Sequence, residues 1–358
     1  MLKTFDKKWS YAVVLSAAMF SLTACGGDTD VEGETSGGEN EGGEAGEFSY
    51  DFSHMFPSSH VMETDVVTPF IEDVNEATNG GVDITSYPGA QLAEPDAQYE
   101  AAATSVADMG FSVHSYTPGQ FPLTSVMEQP FMASTGAEGS DILWDLYEEF
   151  PEIQAEYDDV EVLWIGTSEP GQIYTVDQQV TSVEDLEGMR MRSPSPEVNK
   201  WLEAAGATPV TMSMNETYEA LERGTVDGTV GPYHTLLDYS LQEVIDYVTV
   251  GDFYMTTFFA VMNQGAWDEM DEETQGQVED VAKREMSVHL GEMMDERGEE
   301  AIEAAEEAGA EFYELDEADQ EEWEEYLLTG VEEWIKEREA EGLPAQEVYD
   351  YAESLGDE

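Results

Sequence analysis

The chain has 358 residues and a formal net charge of −69, from 81 Asp and Glu against 12 Lys and Arg. A surface of that sign repels nucleic acid and other polyanions, and carboxylates this abundant make any single acidic pair uninformative as a catalytic dyad. The one cysteine, Cys25, excludes disulfides within the chain and thiol catalysis together.

"MLKTFDKKW" carries Lys3, Lys7 and Lys8, and "SYAVVLSAAMFSL" is a short apolar run that ends in "LTAC". A charged start, a run of this length and a small-residue cleavage site predict a secretory signal over 1–25, too short for a spanning helix. The ending Leu-Thr-Ala-Cys resembles a bacterial lipobox, which implies lipidation of Cys25 and anchoring on the outer face of a membrane. Residues 26–46, "GGDTDVEGETSGGENEGGEAG", hold almost nothing apolar and read as a flexible acidic tether. No later apolar run is long enough to span a bilayer. About 310 residues remain, enough for two domains.

"YDFSHMF" predicts a strand, and "SSHVMETDVVTPFIEDVNEATNGG" a helix from Ser58 or Ser59 to Gly80, kinked at Pro69. "VDITSYP" is the next strand, "PDAQYEAAATSVA" a helix and "DMGFSVHS" a strand, an alternation that argues an α/β domain with a largely parallel sheet. "EVLWIGTSEPGQIYTVDQQVTSVEDLEGMRMRSP" holds two or three strands. Ser195 is a predicted N-cap, with Pro196 at the first helical position, an apolar stripe of Val198, Trp201, Leu202 and Ala205, and a stop at Gly206. "TPVTMS" is a strand, and Ser213 with Glu216 has the spacing of a capping box for a helix ending at Gly224. "FYMTTFFAVMN", 253–263, suits one strand buried on both faces, and everything after Glu269 reads as acidic helix. There Trp323, Tyr326, Leu327, Val331, Trp334 and Ile335 form a stripe that packs on a domain.

The acidic charge is spread along the chain with aromatics interleaved, so it belongs to the surface and not to one tail. At about 1 M salt the Debye length is only ~3 Å, which screens such self-repulsion; the composition reads as adaptation to brine. No Asp/Asn ladder with a central Gly and closing Glu is present, so no calcium loop is expected. The histidines His54, His60, His114, His234 and His289 lack helical metal-ligand spacing and are expected to be satisfied polar side chains. "GTSEPG" has the wrong spacing around Ser168 for a nucleophile elbow. No phosphate loop or dinucleotide fingerprint occurs, so neither a metal nor a cofactor is expected.

Two arginines stand apart. After Lys8 the next Lys or Arg is Arg190, followed at once by Arg192. On a strand, period-two geometry places both guanidiniums on one face and Met189 and Met191 on the other. The strand runs into "SPSP" and a helix start, where open α/β sheets bind ligands. A guanidinium fork grips a carboxylate through two parallel bonds. Pairing with surface carboxylates is the competing role, and it weighs more heavily on Arg190. Lys283, Arg284, Arg297, Lys336 and Arg338 lie among acidic neighbours on helices as expected surface pairs.

"VEDLEGMRMRSPSP" and "AAGATPVTMSMNETYEALERGTVDGTVGP" resemble the signature segments of the DctP-type extracytoplasmic substrate-binding proteins of TRAP transporters. "GGVDITSYPGAQL", "VADMGFSVHSYTPGQFPLTSVMEQPF" and "TTFFAVMNQGAWDEM" extend the match over essentially the whole mature chain. The resemblance implies an α/β, two-lobed periplasmic-binding-protein-like fold (class II-like), with mixed sheets flanked by helices and a long helix connecting the lobes. Lobe I is expected over 47–170 plus about 258–298, and lobe II with the C-terminal helices over 171–257 plus about 299–358. It further implies a receptor, not an enzyme, that binds a small organic acid in the interlobe cleft and hands it to a membrane permease pair driven by an ion gradient. Receptors of ABC or tripartite tricarboxylate transporters, and a surface enzyme on such a scaffold, stay open as alternatives.

The family's carboxylate-gripping arginine falls on Arg192, while Arg190 takes the place of a lysine. Gly231 stands where many members have Asn, and "EPGQIYT" offers Gln172 and Tyr174 where many carry a second Arg. One strong anchor suggests a monocarboxylate, with an apolar or aromatic body, over a dicarboxylate. The rest of the cleft wall is expected from Phe56, His60, Ser112, Tyr116, Gln172, Tyr174, Tyr233, Phe253 and Tyr254, with Arg190 beside Arg192.

Overall fold

The structure, a computed structural model, describes residues 47–356. The predicted signal, Cys25 and the 26–46 tether lie outside the described residues. The strands are β1 (Phe48–His54), β2 (Val82–Tyr87), β3 (Met109–Val113), β4 (Val160–Thr167), β5 (Gly171–Thr175), β6 (Arg190–Ser193), β7 (Thr208–Thr211), β8 (Gly228–Pro232), β9 (Tyr247–Tyr254), β10 (Thr257–Asn263) and β11 (Glu311–Glu314). The helices are α1 (Thr68–Ala77), α2 (Gln98–Ala103), α3 (Gly136–Glu149), α4 (Pro151–Gln154), α5 (Pro196–Ala204), α6 (Thr217–Glu222), α7 (His234–Asp238), α8 (Gln264–Glu269), α9 (Glu272–Glu279), α10 (Lys283–Ala308), α11 (Glu317–Ala340) and α12 (Ala345–Gly356).

Two sheets define two lobes. The first has the order β2-β1-β3-β10-β4 and the second β11-β9-β5-β8-β6-β7. Both are mixed, not largely parallel. In the first, β10 runs antiparallel to β3 and β4; in the second, β5 runs antiparallel to β8 and β9. β5 and β10 are the strands by which the chain enters a lobe from the other one, and their direction is fixed by the sheet they have just left. At the crossings the two connections brace each other: Ser168 N–H donates to the Thr256 carbonyl at 2.9 Å, and Thr256 N–H to Ser168 Oγ at 3.1 Å.

Four expectations are corrected. "FYMTTFFAVMN" is not one strand, because Phe253 and Tyr254 end β9 in the second sheet and Thr257–Asn263 form β10 in the first. Both sheets are buried there, so the apolar run carries no mark of the change. The chain after Glu269 is not all helix: β11 pairs parallel to β9, with Phe312 beside Val248. The Ser213–Glu216 capping box gives way to a short 3₁₀ turn, Met214–Glu216, ahead of α6. The C-terminal helices do not stay with the second lobe. Trp323 and Leu327 of α11 pack with Phe253 and Leu202, whereas Val331 and Trp334 pack with α12 residues Val348 and Ala352 against the first lobe.

Pro69 acts through the turn before it. Residues Met62–Val67 form a π-helical turn that leads into α1. A proline has no N–H for the carbonyl four residues earlier, and that carbonyl, of Asp65, lies 2.9 Å from His289 Nε2 of α10.

Candidate functional site

The cleft is built on Arg192. Ser195 caps α5 as its spacing predicts, accepting from Val198 N–H at 3.1 Å, and so fixes the strand-to-helix corner just past the arginine. Met191 points into the second-lobe core and Arg192 to the other face. Arg192 is fully buried. Its Nε donates to the Met212 carbonyl (3.0 Å), Nη1 to the Val230 carbonyl (3.1 Å) and Nη2 to Tyr116 Oη (2.9 Å). Among the described residues it has no carboxylate partner, whereas Arg190, Arg223, Arg284, Arg297 and Arg338 each have at least one. Burying a cation without a counter-ion is costly. A guanidinium has five N–H donors, so two remain on the terminal nitrogens for a ligand.

The lobes meet over this group. Tyr116 of the first lobe accepts from both Arg192 and Met214 N–H (2.9 Å), Asn215 Nδ2 reaches the Met55 carbonyl (3.1 Å), and Ser115 Oγ the Pro194 carbonyl (3.4 Å). The cavity over Arg192 is small, about 20 Å³. Its walls are Met55, Phe56, Val113, Tyr116, Pro194, Met214, Pro232, Tyr239, Tyr254, Thr256 and Phe258, with His60, His234 and Thr235 as further polar groups. A wider hollow between Gly89–Asp96 and Thr211–Glu216 shares Tyr116 and Pro194 and forms the mouth.

Of the predicted wall, the structure brings Arg192, Phe56, His60, Tyr116 and Tyr254 together. The others lie elsewhere. Arg190 is exposed and pairs bidentately with Asp227, at 2.5 and 3.1 Å. Gln172 is buried beneath a bulge in β9: its Oε1 accepts from Gly251 and Asp252 N–H, and its Nε2 donates to Pro170 O and Asp252 Oδ1. Those four bonds complete the amide and leave nothing for a ligand. Ser112 donates to the Pro95 carbonyl at 2.7 Å inside the first lobe. Phe253 packs in the second-lobe core, edge-on to Trp323 with ring centroids 4.8 Å apart. Tyr174 and Tyr233 belong to the cluster behind the cavity, with Leu236 and Val248.

His234 and Glu169 were not anticipated. His234 N–H and Nδ1 approach Glu169 Oε1 at 2.7 and 3.0 Å. Burial pulls the His234 pKa down, but the charge and hydrogen bond of Glu169 outweigh it, and the net shift is upward. Glu169 thereby favours the protonated form of the His234 ring. Its only sequence signal is His234 itself, directly after "GPY".

Closure of one α/β lobe on another over a single unpaired cation is the architecture of a solute receptor. The model of bacterial extracellular solute-binding protein, family 7 (DctP), matches residues 52–337. The chain belongs to this family, which removes the ABC and tripartite tricarboxylate alternatives. It is 26% identical over 297 residues, 78% of this chain and 86% of the relative, to the C4-dicarboxylate-binding periplasmic protein DctP of Rhodobacter capsulatus. A TRAP solute-binding protein of an unidentified marine microbe, specific for aromatic acid ligands and solved with metahydroxyphenylacetate, superposes with a TM-score of 0.83 at 27% identity, over 87% of this chain and 98% of that one. A TRAP periplasmic solute-binding protein of Bordetella bronchiseptica with bound (R)- and (S)-mandelate gives 0.81 at 25% identity, over 86% and 98%. These neighbours are receptors, as the sequence reading expects.

Proposed function

We propose that this receptor captures a small monocarboxylic acid with an apolar or aromatic body, gripped at its carboxylate by Arg192, and delivers it to a TRAP permease. The observation that carries the reading is the buried guanidinium without a carboxylate partner in a cavity walled by aromatic and apolar side chains. The relatives' ligands range from a C4-dicarboxylate through aromatic acids to sugar acids, and the charge count supports one with a single carboxylate. Among the described residues no second Lys or Arg lines the cavity, and His234 is already engaged by Glu169 at 3.0 Å. A second carboxylate there would be desolvated without a counter-ion. In a calorimetric screen, benzoate, phenylacetate or mandelate is expected to bind more tightly than succinate or malate. Equal or tighter binding of the dicarboxylates would overturn the monocarboxylate assignment.

The signal and Cys25 support delivery as a lipoprotein tethered to the outer face of the cell membrane, with 26–46 as the leash. The charge of −69 supports a saline habitat. Raising salt from 0.1 to 1 M shortens the Debye length from ~10 to ~3 Å, so the melting temperature is expected to climb across that range. Ligand affinity is expected to change far less, because the Arg192 contact is closed off from solvent. A melting temperature independent of salt would remove the brine reading.

A further inference from the structure

We propose that His60 is a second recognition point, whose Nε2–H donates to an acceptor oxygen on the body of the ligand, so that the cavity selects a hydroxy- or oxo-substituted acid over the bare acid. The proposal rests on the reading of this cavity as the organic-acid site, and it names the residue and the substituent that reading leaves open.

The loop after β1 carries His60 to the cavity wall, where its ring is fully buried. Met62 N–H donates to His60 Nδ1 at 3.1 Å. A ring nitrogen that accepts has no proton, so in the neutral imidazole the proton sits on Nε2. Asp238 Oδ2 is 3.6 Å from Nδ1, beyond hydrogen-bond distance, and Asp238 is paired through Oδ1 with Arg297. Burial foremost, then the charges of His234, His54 and Arg297, hold the His60 pKa well below its ordinary value, so the ring stays neutral. Nε2 has no partner among the described residues.

The other histidines differ. His54 Nε2 meets Glu63 (2.9 Å), His114 Nε2 meets Tyr157 Oη (2.6 Å) and His289 Nε2 meets the Asp65 carbonyl (2.9 Å), while His234 has Glu169. The unpartnered nitrogens of His54 and His114 are the Nδ1 atoms. His60 instead buries a donor proton in an apolar wall, an arrangement that costs free energy until an acceptor arrives. Phe56 at 4.9 Å and Tyr239 at 5.2 Å hold the ring between them. None of the Arg192 contacts, Met212, Val230 and Tyr116, belongs to this group. The two donors therefore address different parts of one ligand: the carboxylate at Arg192 and a neutral oxygen at His60. A second carboxylate is disfavoured there, since a neutral imidazole supplies no countercharge.

The test is calorimetry on the protein with benzoate, its three monohydroxy derivatives, phenylacetate and 3-hydroxyphenylacetate. At least one hydroxylated acid is expected to bind about ten- to a hundredfold more tightly than its parent. In His60→Leu that preference should shrink to within about twofold, whereas His60→Gln, which restores an N–H donor, should keep part of it. In the wild-type protein, long-range proton–nitrogen spectra should show the His60 Nε2 resonance moving with the preferred acid and not with its parent, a readout that needs no variant to fold. Parent acids that bind with no hydroxylated analogue preferred, or a preference that survives in His60→Leu, would overturn the role of His60 alone. Failure of the whole panel to bind would overturn the aromatic-acid reading of the cavity as well.

Discussion

Replacing Arg192 by alanine is expected to weaken acid binding by about a hundredfold or more, the range for losing one partner of a buried charge pair, while the protein still folds. The wild-type side chain is a cation held by two carbonyls and a phenol, with no carboxylate to balance it. Removing it from the ligand-free protein relieves an uncompensated buried charge and takes a donor from Met212 O and from Val230 O, the latter keeping Thr229 Oγ1 at 3.2 Å, two effects that oppose each other. In the complex nothing offsets the loss. A ligand at a hundred times its Kd stabilises the native state by about 2.7 kcal/mol, and the same concentration of a hundredfold weaker ligand by about 0.4. Ligand-induced thermal stabilisation should therefore nearly vanish in Arg192→Ala. Arg192→Lys keeps the charge but not the fork, and should recover only part of it. Affinity within a few fold of wild type would remove Arg192 from the anchor role.

Gly291→Ala is expected to cost about 3 kcal/mol of stability, at the upper end for overpacking. Where α10 crosses the start of α3, a Cβ on Gly291 would stand 2.2 Å from the Gly136 carbonyl oxygen and 2.5 Å from Ala137 N. Both obstacles are backbone, so no rotamer change relieves them. One turn on, Asp295 accepts from Gly136 and Ala137 N–H at 2.6 and 3.1 Å, so separating the helices also takes the acceptor from the first two N–H groups of α3. At roughly 2 °C or more per kcal/mol for a chain of this size, the melting temperature should fall by about 6 °C or more. Gly330→Ala, in α11 where a Cβ meets nothing within 4 Å, should instead stabilise by up to about 1 kcal/mol, the helix preference for Ala. Equal melting temperatures for the two variants would contradict the close approach.

The candidate anchor was legible in the sequence because it rests on local rules. Strand alternation, the Ser195 cap and the scarcity of cations together single out the Arg190–Arg192 stretch, and the resemblance to known receptors chooses Arg192. The Asp227 partner of Arg190, 37 residues on, is a fact of strand pairing that spacing cannot supply. Gln172 failed as a site residue for a similar reason: its four bonds exist only because β9 bulges at Asp252, where φ is +50°. Phe253 and Tyr254 are neighbours on one strand and so face opposite sides, Tyr254 the cavity and Phe253 the core. His60 and His234, 174 positions apart in the chain, have rings 5.6 Å apart; each reads alone as an ordinary polar residue, and only closure of the lobes makes them a pair.

The two anchorages of α11 also bear on how far the receptor can gape. Its Trp323 and Leu327 are seated in one body and its Val331 and Trp334 in the other, so about one helical turn separates the fixings. Any swing that keeps both seated must be absorbed within that turn, and a larger one must unseat a tryptophan. The helix thus acts as a check-strap on a door already carried by two crossing strands: it caps the angle of opening and shortens the path back to the latched position.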